Sequence, residues 1–179
     1  MNKRQWTLLI AVGLIAGALG IGLSTFKFRT TSASDQAVEL FLKQELKSPD
    51  GSTHNTKAWR NKILVLNFWA SWCPPCVEEM PALTRTFDHY KDKNVLFVGI
   101  GVDSPSNIRL FLEKTPVNYP ITISPLEGVN WAKSMGNPSG GLPFTVLIDE
   151  KGVIKKTKLG KISEDELKSW LDSAILSPK

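Results

Sequence analysis

Cys73 and Cys76 are the two cysteines of the chain, and they flank Pro74 and Pro75. Two thiols with two residues between them suit one chemistry above others: making and breaking a disulfide. The thiolate is the attacking species in that exchange. The start of a helix favours it, because first-turn amides and the positive end of the helix dipole stabilise negative charge. Here the pair follows an apolar run of strand length, Ile63–Ala70, and precedes a helical pattern from about Pro75 to Lys91. Cys73 is therefore the expected nucleophile, partly exposed and readily ionised. Cys76, about one helical turn on, should be more buried and should resolve the mixed disulfide by attacking Cys73. Pro74 and Pro75 stiffen the turn and contribute to its redox poise.

Other uses of a cysteine pair fit less well. A zinc site needs about four ligands, and the two histidines, His54 and His89, fall in no ligand motif. Haem attachment needs histidine directly after the second cysteine, where this chain has Val77. A purely structural bridge would close a tiny loop and constrain little of the unfolded chain. Soft thiolates also suit Cu(I), so a copper-binding module is a rival reading.

The elements that must hold the pair follow from patterning. Val38–Leu46 partly alternates and meets the turn Ser48-Pro49-Asp50-Gly51, which predicts an opening hairpin returning through Thr53–Thr56. Ile63–Ala70 and Asn94–Val102 read as strands buried on both faces. Ser104-Pro105 starts a helix running to Lys114, Tyr119–Ile123 is a short strand, and Gly128–Met135 a short helix ended by Gly136. A strand entered through Pro143 and a partner, Val153–Leu159, form a closing hairpin. Ser163 and Glu166 form a capping box for a last helix ending near Ile175. The alternation predicts an α/β domain with a mixed central sheet flanked by helices.

Charge is unevenly spread. Residues 1–34 hold four basic and no acidic side chains, and the remaining 145 hold 18 basic and 17 acidic, a net of +1. A domain so nearly neutral lacks the counterion-release term that binds nucleic acid. The Lys155-Lys156-Thr157-Lys158 clump reads as the solvated side of a strand. Lys3 and Arg4 precede the apolar run Trp6–Leu23, and about 20 such residues cross a bilayer core. This predicts a membrane anchor over 1–29, a linker over 30–36 and the folded domain over 37–179. The basic N-terminus leaves that end in the cytoplasm and the domain in the periplasm, or on the outer face. Small-residue sites at Ala16-Gly17-Ala18 and Thr31-Ser32-Ala33 keep a cleaved signal as the alternative.

The run Phe68-Trp69-Ala70-Ser71-Trp72-Cys73-Pro74-Pro75-Cys76, with Gly141-Leu142-Pro143 and the strand after it, resembles the thioredoxin superfamily. More narrowly it resembles the membrane-anchored TlpA/ResA-like thiol–disulfide oxidoreductases, which carry Glu and Pro where this chain has Glu79 and Pro81. The similarity spans roughly Val38 to Leu176. It implies a thioredoxin fold with an N-terminal β-hairpin and a central insertion over Ser104–Pro125. It implies that Pro143 is a cis-proline facing the dithiol, that Leu142 offers backbone groups to an extended substrate, and that Trp72 forms an apolar lip. Pro81 would kink the active-site helix. Plain thioredoxin has a buried aspartate where this chain has Asn67, which does not titrate. Proton handling for Cys76 then falls to Glu79, one turn further on the same helix.

The function implied is reduction of disulfides in exported proteins, for example in cytochrome c or copper-site maturation, without a cofactor. A transmembrane dithiol would supply the electrons. An oxidase that introduces disulfides is the runner-up. A peroxidase on this fold would need a threonine and an arginine around a lone cysteine, and Ala70, Ser71 and Trp72 precede Cys73.

Overall fold

The computed structural model describes residues 32–176. The predicted anchor lies outside them; among the described residues no helix is long and apolar enough to cross a membrane. The first element is helix α1 (Ala33–Phe41), capped by Ser32, whose hydroxyl accepts from the Asp35 N–H at 3.1 Å. Helix thus replaces two sequence expectations, the end of the 30–36 linker and the start of a strand at Val38. Alternation misled because Leu40 is 62 % exposed while Ala37, Val38, Phe41 and Leu42 are buried. Those buried positions follow a helical stripe, not a period of two. The Asp35 carboxylate also accepts the Ile154 N–H at 3.0 Å, fastening the helix to the far hairpin.

The opening hairpin is present but short: β1 (Glu45–Lys47) pairs antiparallel with β2 (Thr53–Asn55). Its turn closes at Gly51, where φ is +88° and the N–H donates to the Ser48 carbonyl at 3.0 Å. Thr56 begins a 3-10 turn to Trp59 in place of the predicted strand end. Then come β3 (Ile63–Trp69), α2 (Pro74–Tyr90), β4 (Val95–Gly101), α3 (Pro105–Lys114), β5 (Ile121–Ile123) and α4 (Glu127–Ser134). The closing hairpin is β6 (Phe144–Ile148) with β7 (Ile154–Leu159), followed by α5 (Glu164–Leu176). Of the predicted capping box, one half forms. The Glu166 N–H donates to the Ser163 hydroxyl, while the Glu166 carboxylate pairs with Lys158 at 2.9 Å.

The sheet order is β2-β1-β5-β4-β3-β6-β7. Strands β3, β4 and β5 are parallel, and β6 and β1 run antiparallel to their neighbours. Every residue of β3 is buried, as its unbroken apolar run requires. One face carries Val65, Trp69 and Phe97 against Met80 and Leu83 of α2, Ile108 of α3, and Leu167 and Leu171 of α5. The other carries Leu64, Leu66, Phe68 and Ile100 against α1 and α4. α3 and β5 fill the predicted insertion. Parallel strands β3, β4 and β5 end on one edge, and β6 begins there, since Phe144 is the register partner of Phe68. All the loops that build the site leave from that edge.

Candidate active site

Cys73 is the N-cap of α2, with Pro74 and Pro75 at the first two helical positions. Proline suits these positions because its φ is preset and its missing N–H has no helical partner to lose. Cys73 and Cys76 are joined by a disulfide, with Cα atoms 5.3 Å apart. The Cys73 N–H donates to the Ala70 carbonyl and its carbonyl accepts from the Val77 N–H, each at 3.2 Å. Cys76 is fully buried, as expected. Cys73 is 4 % exposed, which corrects the expectation of a partly exposed nucleophile. The bond turns its sulfur toward Cys76, and both join the apolar cluster with Ala70, Trp69 and Met80. A second correction concerns the helix start. Pro74 and Pro75 carry no N–H, so Cys76 supplies the first amide hydrogen of α2.

One turn beyond Cys76, the Glu79 side chain is wholly buried. Its Oε1 accepts from Asn67 Nδ2 at 2.7 Å, and its Oε2 accepts the Ile162 N–H at 2.9 Å. Burial pushes its carboxyl up to about 7, against the pull of the Ile162 amide, the Asn67 amide and the Lys161 charge. Glu78, next to it, points to solvent and pairs with Lys161 at 2.9 Å. Asn67 Nδ2 also donates to Thr145 Oγ1 at 3.0 Å, so one amide ties α2 to β3 and β6. Tyr119 lies in the field of this carboxylate. Its phenol is held above its ordinary range by burial and by the Glu79 charge.

Strand β6 is entered through a cis Leu142–Pro143 peptide, at the end of the sheet where β3 finishes. Leu142 packs against the apolar clusters on both faces of the sheet. Trp72 is 65 % exposed beside Cys73, a large apolar surface left open at the mouth of the site.

The Redoxin family profile matches residues 29–174. The chain belongs to the Redoxin family. Thiol-disulfide oxidoreductase ResA of Geobacillus thermodenitrificans is 30 % identical over 97 % of this chain and 98 % of its own length. Sporulation thiol-disulfide oxidoreductase A of Bacillus subtilis is 28 % identical over 96 % of this chain and 99 % of its own. The crystal structure of a thioredoxin-related protein from Neisseria meningitidis serogroup B superposes with a TM-score of 0.65 at 35 % identity, covering 73 % of this chain and 98 % of that one. This Redoxin chain is thus a thiol–disulfide oxidoreductase of thioredoxin-like fold.

The Redoxin site also contains groups that the sequence did not reveal. Asp103, just before the helix start at Ser104-Pro105, accepts the Ser71 N–H at 3.2 Å, the Ser71 hydroxyl, the Ser104 N–H at 2.6 Å and Asn107 Nδ2 at 2.9 Å. Burial alone would raise this carboxyl. The donors outweigh it and hold it below the usual range. Asp103 thereby clamps the loop two residues before Cys73 to the end of β4. Thr145 and the Ile162 amide were missed as well. For Thr145 a signal existed: it is the polar residue in the otherwise apolar run Phe144–Ile148, just as Asn67 is in Ile63–Trp69.

Proposed function

We propose that this oxidoreductase reduces disulfides in exported proteins, held at the outer face of a bacterial inner membrane by Trp6–Leu23. The observation that carries the direction is the pair of prolines at the first two positions of α2. Helix-start amides stabilise a thiolate, and a stabilised thiolate makes a dithiol a strong oxidant. With those two amides missing, the reduced pair holds its electrons less firmly and becomes a donor. The apolar run and the basic residues before it support the location.

The Cys73 thiolate attacks one sulfur of a substrate disulfide. A Cys73–substrate bond forms, and the other substrate sulfur leaves as a thiolate that takes a proton from water. Glu79 then accepts the Cys76 proton, and the Cys76 thiolate attacks the Cys73 sulfur. The second substrate thiolate leaves, and two electrons have passed from the domain to the substrate. Pro143 and the Leu142 backbone line the bound substrate strand, and Trp72 covers its apolar flank. No cofactor takes part. Return to the dithiol requires a partner with a reactive thiol pair, a transmembrane dithiol donor on this reading.

Trapping tests it. Full-length Cys76→Ser expressed in its native envelope should accumulate mixed disulfides with exported proteins through Cys73, and Cys73→Ser should lose turnover. Retained turnover in Cys73→Ser would sink the assignment.

A further inference from the structure

Glu79 is held by donors alone. Asn67 Nδ2 faces its Oε1 and the Ile162 N–H faces its Oε2, at 2.7 and 2.9 Å. That arrangement fits a carboxylate. A carboxyl that carries protons must also be accommodated in its neutral form, where one oxygen becomes an O–H donor. The Ile162 N–H can serve either form, because the carbonyl oxygen of a neutral carboxyl still accepts. Oε1 is therefore the oxygen that gains the proton, and as placed it would set O–H against the Asn67 N–H.

Asn67 offers the way out. Its Oδ1 is buried and has no hydrogen-bond partner, so turning the amide over sacrifices no bond on that side. The turn brings Oδ1 to where Nδ2 now lies, against Oε1 and against Thr145 Oγ1, 3.0 Å from the present nitrogen. Thr145 matters because a hydroxyl accepts as readily as it donates. It takes the N–H of one orientation and donates to the carbonyl of the other. Asn67, Thr145 and Glu79 are all at most 2 % exposed, so solvent supplies none of these partners.

We infer that Asn67 is a positioning residue whose side-chain amide reverses when Glu79 gains or loses a proton, with the Thr145 hydroxyl rotating to follow. The switch rests on Glu79 as carrier of the Cys76 proton and supplies what that role needs: a buried carboxyl that keeps its hydrogen bonds in both charge states. The other charged or titratable groups around it are Lys161 before α5, Tyr119 before β5, and Glu78 and the dithiol on α2. Among the described residues none of these hydrogen-bonds the carboxyl, so the reversal is confined to Asn67 and Thr145.

The test is a pH titration of full-length, detergent-solubilised protein with the disulfide intact. It follows the Glu79 side-chain carboxyl carbon and the Asn67 side-chain nitrogen by NMR. The Asn67 resonances should move with the midpoint of Glu79. Asn67→Leu, close in shape, removes a charge-assisted bond and should raise the proton affinity of Glu79 about tenfold. An Asn67 amide that stays still while Glu79 titrates would overturn the switch, as would an unmoved Glu79 midpoint in Asn67→Leu. The wild-type titration needs no variant to fold. If Glu79→Gln resolves mixed disulfides at the wild-type rate while Asn67 still tracks Glu79, the switch stands and the proton-carrier role falls.

Discussion

At Glu79, pH acts on stability and on chemistry in opposite senses. The folded carboxyl keeps its proton up to about 7, whereas an ordinary glutamate releases it near 4.5. Between those values the folded state binds more protons than the unfolded chain, so stability falls as pH rises. The contribution is fully present below the ordinary value and lost above about 7, and it amounts to about 3 kcal/mol. Urea unfolding of the oxidised protein should show that decline between acid and mildly alkaline pH. Glu79→Gln should flatten it, because the glutamine amide mimics the protonated carboxyl. The chemistry needs the carboxylate, so resolution of the mixed disulfide should speed up as pH rises through about 7. Glu79→Gln should slow that step by roughly 10²-fold, read as a longer-lived adduct on Cys73.

Among the elements, the parallel strands and the loops at their ends fix where the dithiol sits. Asp103 holds Ser71 through two bonds and Ser104 and Asn107 through one each. Asp103→Ala should cost about 2–3 kcal/mol, since bonds to a charged acceptor are among the stronger ones. Chemical denaturation checks this. Gly99 sits beside Asn67 in register, and a Cβ there would meet Ile121 Cδ1 at 2.4 Å and Trp69 Nε1 at 3.1 Å. Gly99→Ala should therefore overpack the α2 face and destabilise by about 1–3 kcal/mol; a thermal melt that does not fall would refute this. The continuous apolar runs of β3 and β4 were legible because burial on two faces leaves little choice of residue. α2 was legible because its buried residues, among them Cys76, Met80 and Leu83, recur at helical spacing. α1 was not. Its apolar stripe, extended by the C-cap Leu42, also alternates over Val38, Leu40 and Leu42, and contact with β7, remote in sequence, decides between the two.

For the whole molecule, the cysteine spacing led to the dithiol because it is a local feature with a local chemical reason, whereas Gly141-Leu142-Pro143 and Glu79 stood out through the resemblance to the thioredoxin superfamily. The clamp at Asp103 and the Asn67–Thr145 pair were hidden. They join residues 32 and 78 positions apart, and only the sheet order brings them together. The charge asymmetry speaks to location: with four basic and no acidic side chains beside the apolar run Trp6–Leu23 before Ser32, a salt wash should leave the full chain in the membrane fraction, and release by salt would argue for a peripheral protein. Direction of electron flow is the most consequential claim. It is tested by the equilibrium reduction potential of the Cys73–Cys76 pair against a glutathione buffer. With two prolines in place of two helix-start amides, the value should lie near about −270 mV or below, among dithiol reductants. A value near about −120 mV, that of a strong oxidant, would contradict the reductase and make the protein a donor of disulfides.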